Sequence, residues 1–234
     1  MKRLLPITVL SFLFSVQVIA QKKEFEKELY IGAGGGALMS SVDFKPNVEQ
    51  GQLWGVHGGI SARYISEKNI GGLQLEINYA QSGWVEKFSP ETNFAYNRTL
   101  HYLQIPLLWH IYGGDKIRFI FNAGPQLGFL LGSSDSMNEA LAADIAAKKQ
   151  QNPEKEKEIG MRYNLKPRKI DYGIIGGIGM EFKTGAGNIS LEGRYYFGLG
   201  DIFENRRTKE NFLFDRSANR IIEVKLSYFF KKLF

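Results

Sequence analysis

The chain has 234 residues, enough for one good-sized domain or two small ones, and its 44% hydrophobic and 13% aromatic content excludes a disordered chain. A net charge of +6, a mean hydropathy of −0.23 and no cysteine exclude a helical membrane protein and a disulfide framework. Acidic and basic residues are interspersed, and no basic patch interleaved with aromatics points to nucleic acid.

Lys2 and Arg3, an apolar stretch from Leu4 to Ile19, and Ala20 before Gln21 predict a secretory signal peptide over residues 1–20. Loss of those two cations takes the net charge from +6 to +4. No later run reaches about 18 apolar residues, so residues 21–234 read as one domain without a transmembrane helix. The absence of cysteine after the cut excludes lipid attachment there. Such a chain belongs in the periplasm or the outer membrane.

Leu29 to Met39 reads as a first strand, with Leu29, Ile31, Ala33 and Ala37 on one parity and Gly32, Gly34 and Gly36 on the other. The glycine run fails the G-x-G-x-x-G spacing at Ala37 and opens no helix, so a phosphate loop is rejected in favour of a tightly closing sheet. Ser40 to Gln50 reads as a polar loop. A second strand runs from Gln52 to Ile65, with Trp54, Val56 and Ile60 outward and His57, Ser61 and Arg63 inward. After a short turn the third, Gly72 to about Val85, sets Leu73, Leu75, Ile77 and Tyr79 against Gln74, Glu76 and Asn78.

His101 to Leu131 is the clearest stretch. Leu103, Ile105, Leu107, Trp109 and Ile111 alternate with polar neighbours; Gly113, Gly114 and Asp115 make a turn; Ile117, Phe119, Phe121, Leu127, Phe129 and Leu131 resume the alternation. Both arms are long enough to cross a bilayer at a tilt. Pro106 and Pro125 fall inside them, where each lacks a ladder donor, and local bulges are expected there.

Residues 132–167 are the one long interruption. Ser136 with Glu139 suggests a capping box, Met137, Leu141 and Ile145 form an apolar stripe, and Asn152-Pro153 stops the helix. Strands over Ile170–Lys183 and Ile189–Leu199 follow, joined by a turn at Thr184. A polar loop, Asp201 to Asn219, precedes the eighth, with Ile222, Val224, Leu226, Tyr228 and Phe230. Loops after strands one, three, five and seven are long and the others short. Outer-membrane barrels sort their connections in this way. The expected fold is therefore all-β, an eight-stranded antiparallel transmembrane β-barrel with a helical external loop.

Parity directs Arg63, Glu76, Arg118, Glu181, Glu192, Arg194, Glu223 and Lys225 into the lumen, where charges of both signs pair, since an eight-stranded lumen holds only its own side chains. Tyr64, Trp109, Tyr112, Phe182 and Tyr228 below, and Trp54, Trp84, Phe129 and Phe197 above, are expected as interfacial girdles. His57 and His110 face the lumen and His101 the outside, with no metal-ligand spacing, and no nucleophile–base–orienter set assembles. No catalytic, cofactor or metal residues are assigned. Arg206, Arg207 and Lys209 suit lipopolysaccharide phosphate, or simply a solvated loop beside Glu204 and Glu210. The stripe of Met137, Leu141 and Ile145 suits a cover folded over the barrel mouth in preference to a partner-docking face.

Tyr102-Leu103-Gln104-Ile105-Pro106-Leu107-Leu108, Gly124-Pro125-Gln126-Leu127-Gly128, Asp171-Tyr172-Gly173 and Arg194-Tyr195-Tyr196-Phe197-Gly198-Leu199 resemble the recurring signatures of PorT-like outer-membrane β-barrel proteins. Arg63 to Lys68 and Gly83-Trp84-Val85-Glu86 fit the same family, and Phe234 fits an aromatic assembly signal. The resemblance implies an integral outer-membrane barrel of a Gram-negative bacterium, non-enzymatic, and an accessory of protein export by a type IX secretion system. The expected partners are outer-membrane lipid and lipopolysaccharide, the barrel-assembly machinery and secretion components. A narrow pore, an outer-membrane lipid-modifying enzyme and a soluble lipophile-binding barrel are the alternatives.

Overall fold

A computed structural model describes residues 27–67, 71–151, 162–205 and 213–230. The expected signal peptide, Asn152-Pro153, Arg206, Arg207, Lys209 and Phe234 lie outside them. Eight strands form the molecule: β1 (Glu28–Lys45), β2 (Leu53–Glu67), β3 (Gly71–Glu86), β4 (Tyr96–Gly113), β5 (Ile117–Met137), β6 (Ile170–Lys183), β7 (Gly187–Gly198) and β8 (Arg216–Phe230). Helix α1 (Glu139–Gln151) follows β5, and residues 162–164 are also helical. Each strand pairs antiparallel with its sequence neighbours, and β1 pairs with β8, so the sheet closes on itself. The protein is an eight-stranded antiparallel β-barrel. A closed ring leaves no strand edge and satisfies the ladder within the protein, as hydrocarbon requires.

Side-chain alternation decides what each face meets. Val56, Ile60, Phe119, Ile178 and Leu226 stand on the outer wall, each more than half exposed, while their neighbours of opposite parity are buried inside. An exposed apolar band of this extent is intelligible only against lipid.

The strands outrun the sequence pattern at the long-loop end. β1 continues to Lys45 through the expected polar loop, β4 begins at Tyr96, β5 reaches Met137 and β8 begins at Arg216. β5, with 21 residues, is roughly 70 Å of strand, or about 50 Å along the axis at a tilt of about 40°. The hydrocarbon core is only about 30 Å thick. The external end therefore rises out of the hydrocarbon core, and outward residues there such as Ser41, Asp43 and Ser134 no longer need to be apolar. That change of environment hides the strand ends from a search for alternation.

The prolines do not make the expected bulges. The register runs unbroken past Pro106, paired with Gln126, and past Pro125, paired with Ile174. A few ladder positions beside them are left out instead. Proline's φ suits an extended strand, so only a donor is lost. The shift between β4 and β5 falls at His101 and Tyr102, where Leu131 is the extra residue.

Close approach of backbone explains the glycine run. A Cβ on Gly36 would stand 1.8 Å from the Val224 carbonyl oxygen of β8, whereas Gly113 has no atom within 4 Å of that position. Gly36→Ala is therefore expected to reduce sharply the fraction of chain that closes, read as the heat-modifiable band of unboiled against boiled samples on a gel. Gly113→Ala should leave that band unchanged.

Candidate functional site: the sealed lumen and its external cap

From the short-turn end upward the interior is layered. Tyr30, Ile65, Tyr112, Ile120 and Phe229 form an apolar floor. Tyr112 was expected in the lower girdle but is inside, because it shares the parity of His110 and Leu108; the Arg118 guanidinium lies over its ring at 4.1 Å. Arg63 likewise stacks on Phe229 at 3.8 Å.

The charged belt lies above the floor. Glu76 is its centre: its carboxylate accepts two bonds from Arg194 (2.8 and 2.9 Å), one from the Lys225 ammonium (2.6 Å), one from Asn78 (2.8 Å) and one from Gln74. Arg194 also meets Glu192 at 2.9 Å, and Asn122 donates to Glu192 at 2.9 Å. Below them Glu181 accepts from Arg63 and, at 3.4 Å, from Arg118. Gln74 joins the two groups, since its Oε1 accepts from Arg63 Nε at 2.6 Å while its amide donates to Glu76. Glu223 stands opposite Arg194 in register, yet its Oε1 has no hydrogen-bond partner among the described residues.

The residues that complete this belt, Gln74, Asn78 and Asn122, carry no charge, so a search for paired charges overlooks them. Their inward parity was the available signal. Burying an ion is tolerable only when its lone pairs and protons are met, and the amides do this where cations are too few. The histidines have separate partners. His57 meets the Val224 carbonyl (3.3 Å), His110 meets Asn122 (2.7 Å) and His101, outside, meets Tyr79 (2.7 Å).

A second apolar layer, with Leu38, Leu108, Ile175, Tyr196 and Ile221, lies over the belt, and Asn219 donates to Asp171 at 2.8 Å above it. The mouth is then filled by an aromatic cluster around Phe44, Trp84, Phe203 and Phe214. Trp84 was expected outside as a girdle residue, but it is 3% exposed and edge-on to Phe44 at 5.2 Å. Its parity is that of Glu76, which faces it into the barrel although it lies near the strand end. Trp54, Phe129 and Phe197 above, and Trp109 and Phe182 below, do face outward.

Helix α1 closes the mouth from one side. Its cap is Asn138, not Ser136, because β5 pairing still holds Ser136 opposite Asn97. Asn138 Oδ1 accepts from Leu141 N (3.2 Å) and Ala95 N (3.1 Å), and its amide donates to the Asn93 carbonyl (2.6 Å). One side chain thus starts the helix and ties it to the approach to β4. Leu141 is buried in the mouth cluster, with Met137 and Ile145 packed against it. Glu86 fixes the far end of the cap through Arg162 (2.9 Å) and Tyr163 (3.3 Å). Burial and the Glu86 carboxylate push the Tyr163 phenol up to about 12, so it remains a donor at physiological pH.

The cap leaves a hollow of about 400 Å³ open to the outside. Phe88, Phe94, Ile145 and Leu213 line it, with Lys148 and Arg162 at its edge. Its size is that of a small-molecule or side-chain pocket. Asp144, Asn47 and Tyr163 also line the hollow.

Residues 19–204 match the family model described as outer membrane protein beta-barrel domain. The chain belongs to that family. It is an outer-membrane β-barrel protein, and the family implies a Gram-negative outer membrane. No curated protein matches the sequence. Among solved structures, Neisserial surface protein A is similar at 13% identity and a TM-score of 0.44, covering 88% of this chain and 99% of its own. The attachment invasion locus protein Ail of Yersinia pestis, solved with the heparin analogue sucrose octasulfate, has 11% identity and a TM-score of 0.40, covering 88% and 100%. The N-terminal β-barrel domain of Pseudomonas aeruginosa OprF has 10% identity and a TM-score of 0.33, covering 85% and 97%.

Glu76→Ala strands Arg194 and Lys225 without their shared acceptor and is expected to cost about 3–5 kcal/mol of barrel stability. The readout is the midpoint of denaturant unfolding in detergent. Glu223→Gln should cost no more than about 1 kcal/mol, since the Oε1 atom it alters has no bond to lose. For the cap, Asn138→Ala should destabilise α1 by about 1–2 kcal/mol. Limited proteolysis should then cut the 139–151 segment faster while the heat-modifiable band persists.

Proposed function

We propose that this outer-membrane barrel is a non-conducting, non-enzymatic platform that works at its external face, as an accessory of protein secretion of the type IX kind. The observation that carries the reading is the filled interior. A floor, an ionic belt, a second apolar layer and an aromatic plug follow one another along the axis. Solute passage would have to break the Glu76 bonds and displace the plug, so the interior supports a mechanical role over a transport one.

What is left to act is the cap and its hollow, which present apolar walls to the exterior in a chain otherwise careful to hide such walls from water. A hollow of this kind suits a protruding apolar side chain of a secretion component. The PorT-like motifs support the export assignment, and several of them supply the interior itself: Arg194 and Tyr196 in one, Trp84 and Glu86 in another.

Two measurements test this. In planar bilayers the purified barrel is expected to show no stable open steps; such steps would refute the closed interior. Affinity capture in mild detergent from native membranes is expected to bring down secretion components, and a Leu141→Asp variant that still folds should lose them. Capture of the barrel alone, from membranes that contain those components, would remove the export role while leaving the closed barrel standing.

A further inference from the structure

The outer wall carries a polar seam where β1 and β8 rise above the apolar band. Asp43 is in register with Ala218, which sets its carboxylate level with the gap between Arg216 and Arg220 on the same outward face. Both arginines meet Asp43 Oδ2, Arg216 through Nε at 3.1 Å and Arg220 through Nη2 at 3.0 Å. Arg220 is further fixed by two bonds of 2.9 Å to the carbonyls of Gly198 and Asn219, and it lies over the outward Phe197 ring at 3.8 Å. Arg216 is freer, its side chain 37% exposed.

Beside these arginines the wall is notched. Pairing between β1 and β2 ends at Ser40 and Leu53, and above that point a hollow of about 360 Å³ opens, lined by Met39, Ser41, Gln52, Tyr195, Arg220 and Ile222. Its lower part is apolar and its upper part polar. Further cations stand near the seam, interleaved with Asp215, whose N–H donates to Lys45 O, and Asp201, which accepts from Ser217 N–H. Lys45 is the register partner of Arg216, and Arg168 follows two hydrogen bonds further round, since its N–H donates to Ile202 O and Ile202 N–H donates to Ser217 O.

We propose that this seam binds a phosphate-bearing lipid of the external leaflet. The phosphate lies against Arg216 and Arg220, the linking ester or hydroxyl groups meet Ser41 and Gln52, and the acyl chain descends over Met39 and Ile222. The height demands an amphiphile, because apolar wall lies directly below and water above. The guanidiniums demand an anionic head, and phosphate accepts their paired N–H groups in a fixed geometry. Asp43 acts as a clamp: it takes one unit of charge from two, leaving the pair cationic and holding Arg216 beside Arg220, which lines the notch. The site is independent of whatever the cap engages.

The test uses the full folded chain in phosphatidylcholine nanodiscs doped with equal amounts of phosphatidic acid and diacylglycerol, which differ in the phosphate. After extraction into neutral detergent, retained lipid is counted by native mass spectrometry. Phosphatidic acid should be retained at least tenfold over diacylglycerol. Each basic side chain near an anionic head is worth roughly a fivefold gain, so Arg216→Gln should lower retention about fivefold and the double variant with Arg220→Gln about twenty-five-fold. Ser41→Trp, which fills the notch and keeps both arginines, should lower it as well. The heat-modifiable band certifies folding in each case; should Arg220→Gln fail to fold, the Arg216 and Ser41 variants decide. Equal retention of the two lipids, or retention unchanged in Arg216→Gln and Ser41→Trp, overturns the proposal. Full displacement by inorganic phosphate also overturns it, in favour of a site for the free anion.

Discussion

Glu76 carries the constraint on which the interior depends. Moving a carboxylate-sized ion from water into a dry medium costs about 20 kcal/mol in the idealised case, and several even after relaxation. An eight-stranded barrel has no room for the water that would relieve this. The carboxylate therefore has to be met from all sides by the protein, and it is: by Arg194 from β7, by Lys225 from β8, and by Gln74 and Asn78 from its own strand. The bonds from Arg194 and Lys225 run across the lumen and not along the wall. They brace opposite sides of the barrel against each other, which a ring of ladder bonds alone does not do.

The period of two made most of this legible before any coordinates. Wherever hydrocarbon lies on one side and the lumen on the other, each residue's type reports its face, so the eight strands and the alternation of long and short connections are written in the residues themselves. Legibility fails where one of those two environments disappears. Above the membrane the outward face meets water, alternation fades, and Ser41, Asp43 and Arg216 read as loop although they are paired strand. Trp84 and Tyr112 were misplaced because aromatic residues near strand ends suit both an interface and a plug, and only parity separates the two. The helix cap went to Ser136 for a related reason: a local motif was read without knowing that β5 had not yet ended.

The amides are a different kind of omission. Gln74, Asn78 and Asn122 stand inward by the same parity that sets Glu76 and Arg194 there. What no pattern reveals is which inward groups meet, since that depends on stagger between strands far apart in the chain. Glu76 and Arg194 are 118 residues apart, and their contact is a product of closure. Composition showed that charges of both signs were available; the barrel's shear chose the partners.

Closure also divides the labour between the two ends. At the short-turn end the floor is apolar and the turns are minimal, leaving little surface for a partner. At the external end the chain spends residues 139–151 on a helix that Asn138 ties to the approach to β4, and the Arg162–Glu86 pair fastens the segment before β6 to the top of β3. A helix anchored at its start that leaves a hollow beside it is not a simple plug, since its Leu141 already lies in the cluster that fills the mouth. The cap is part of that seal through Leu141, while the walls of its hollow stay open to the outside. Sealing accounts for the buried face of the helix, and the proposed contact with a secretion component rests on the open hollow alone.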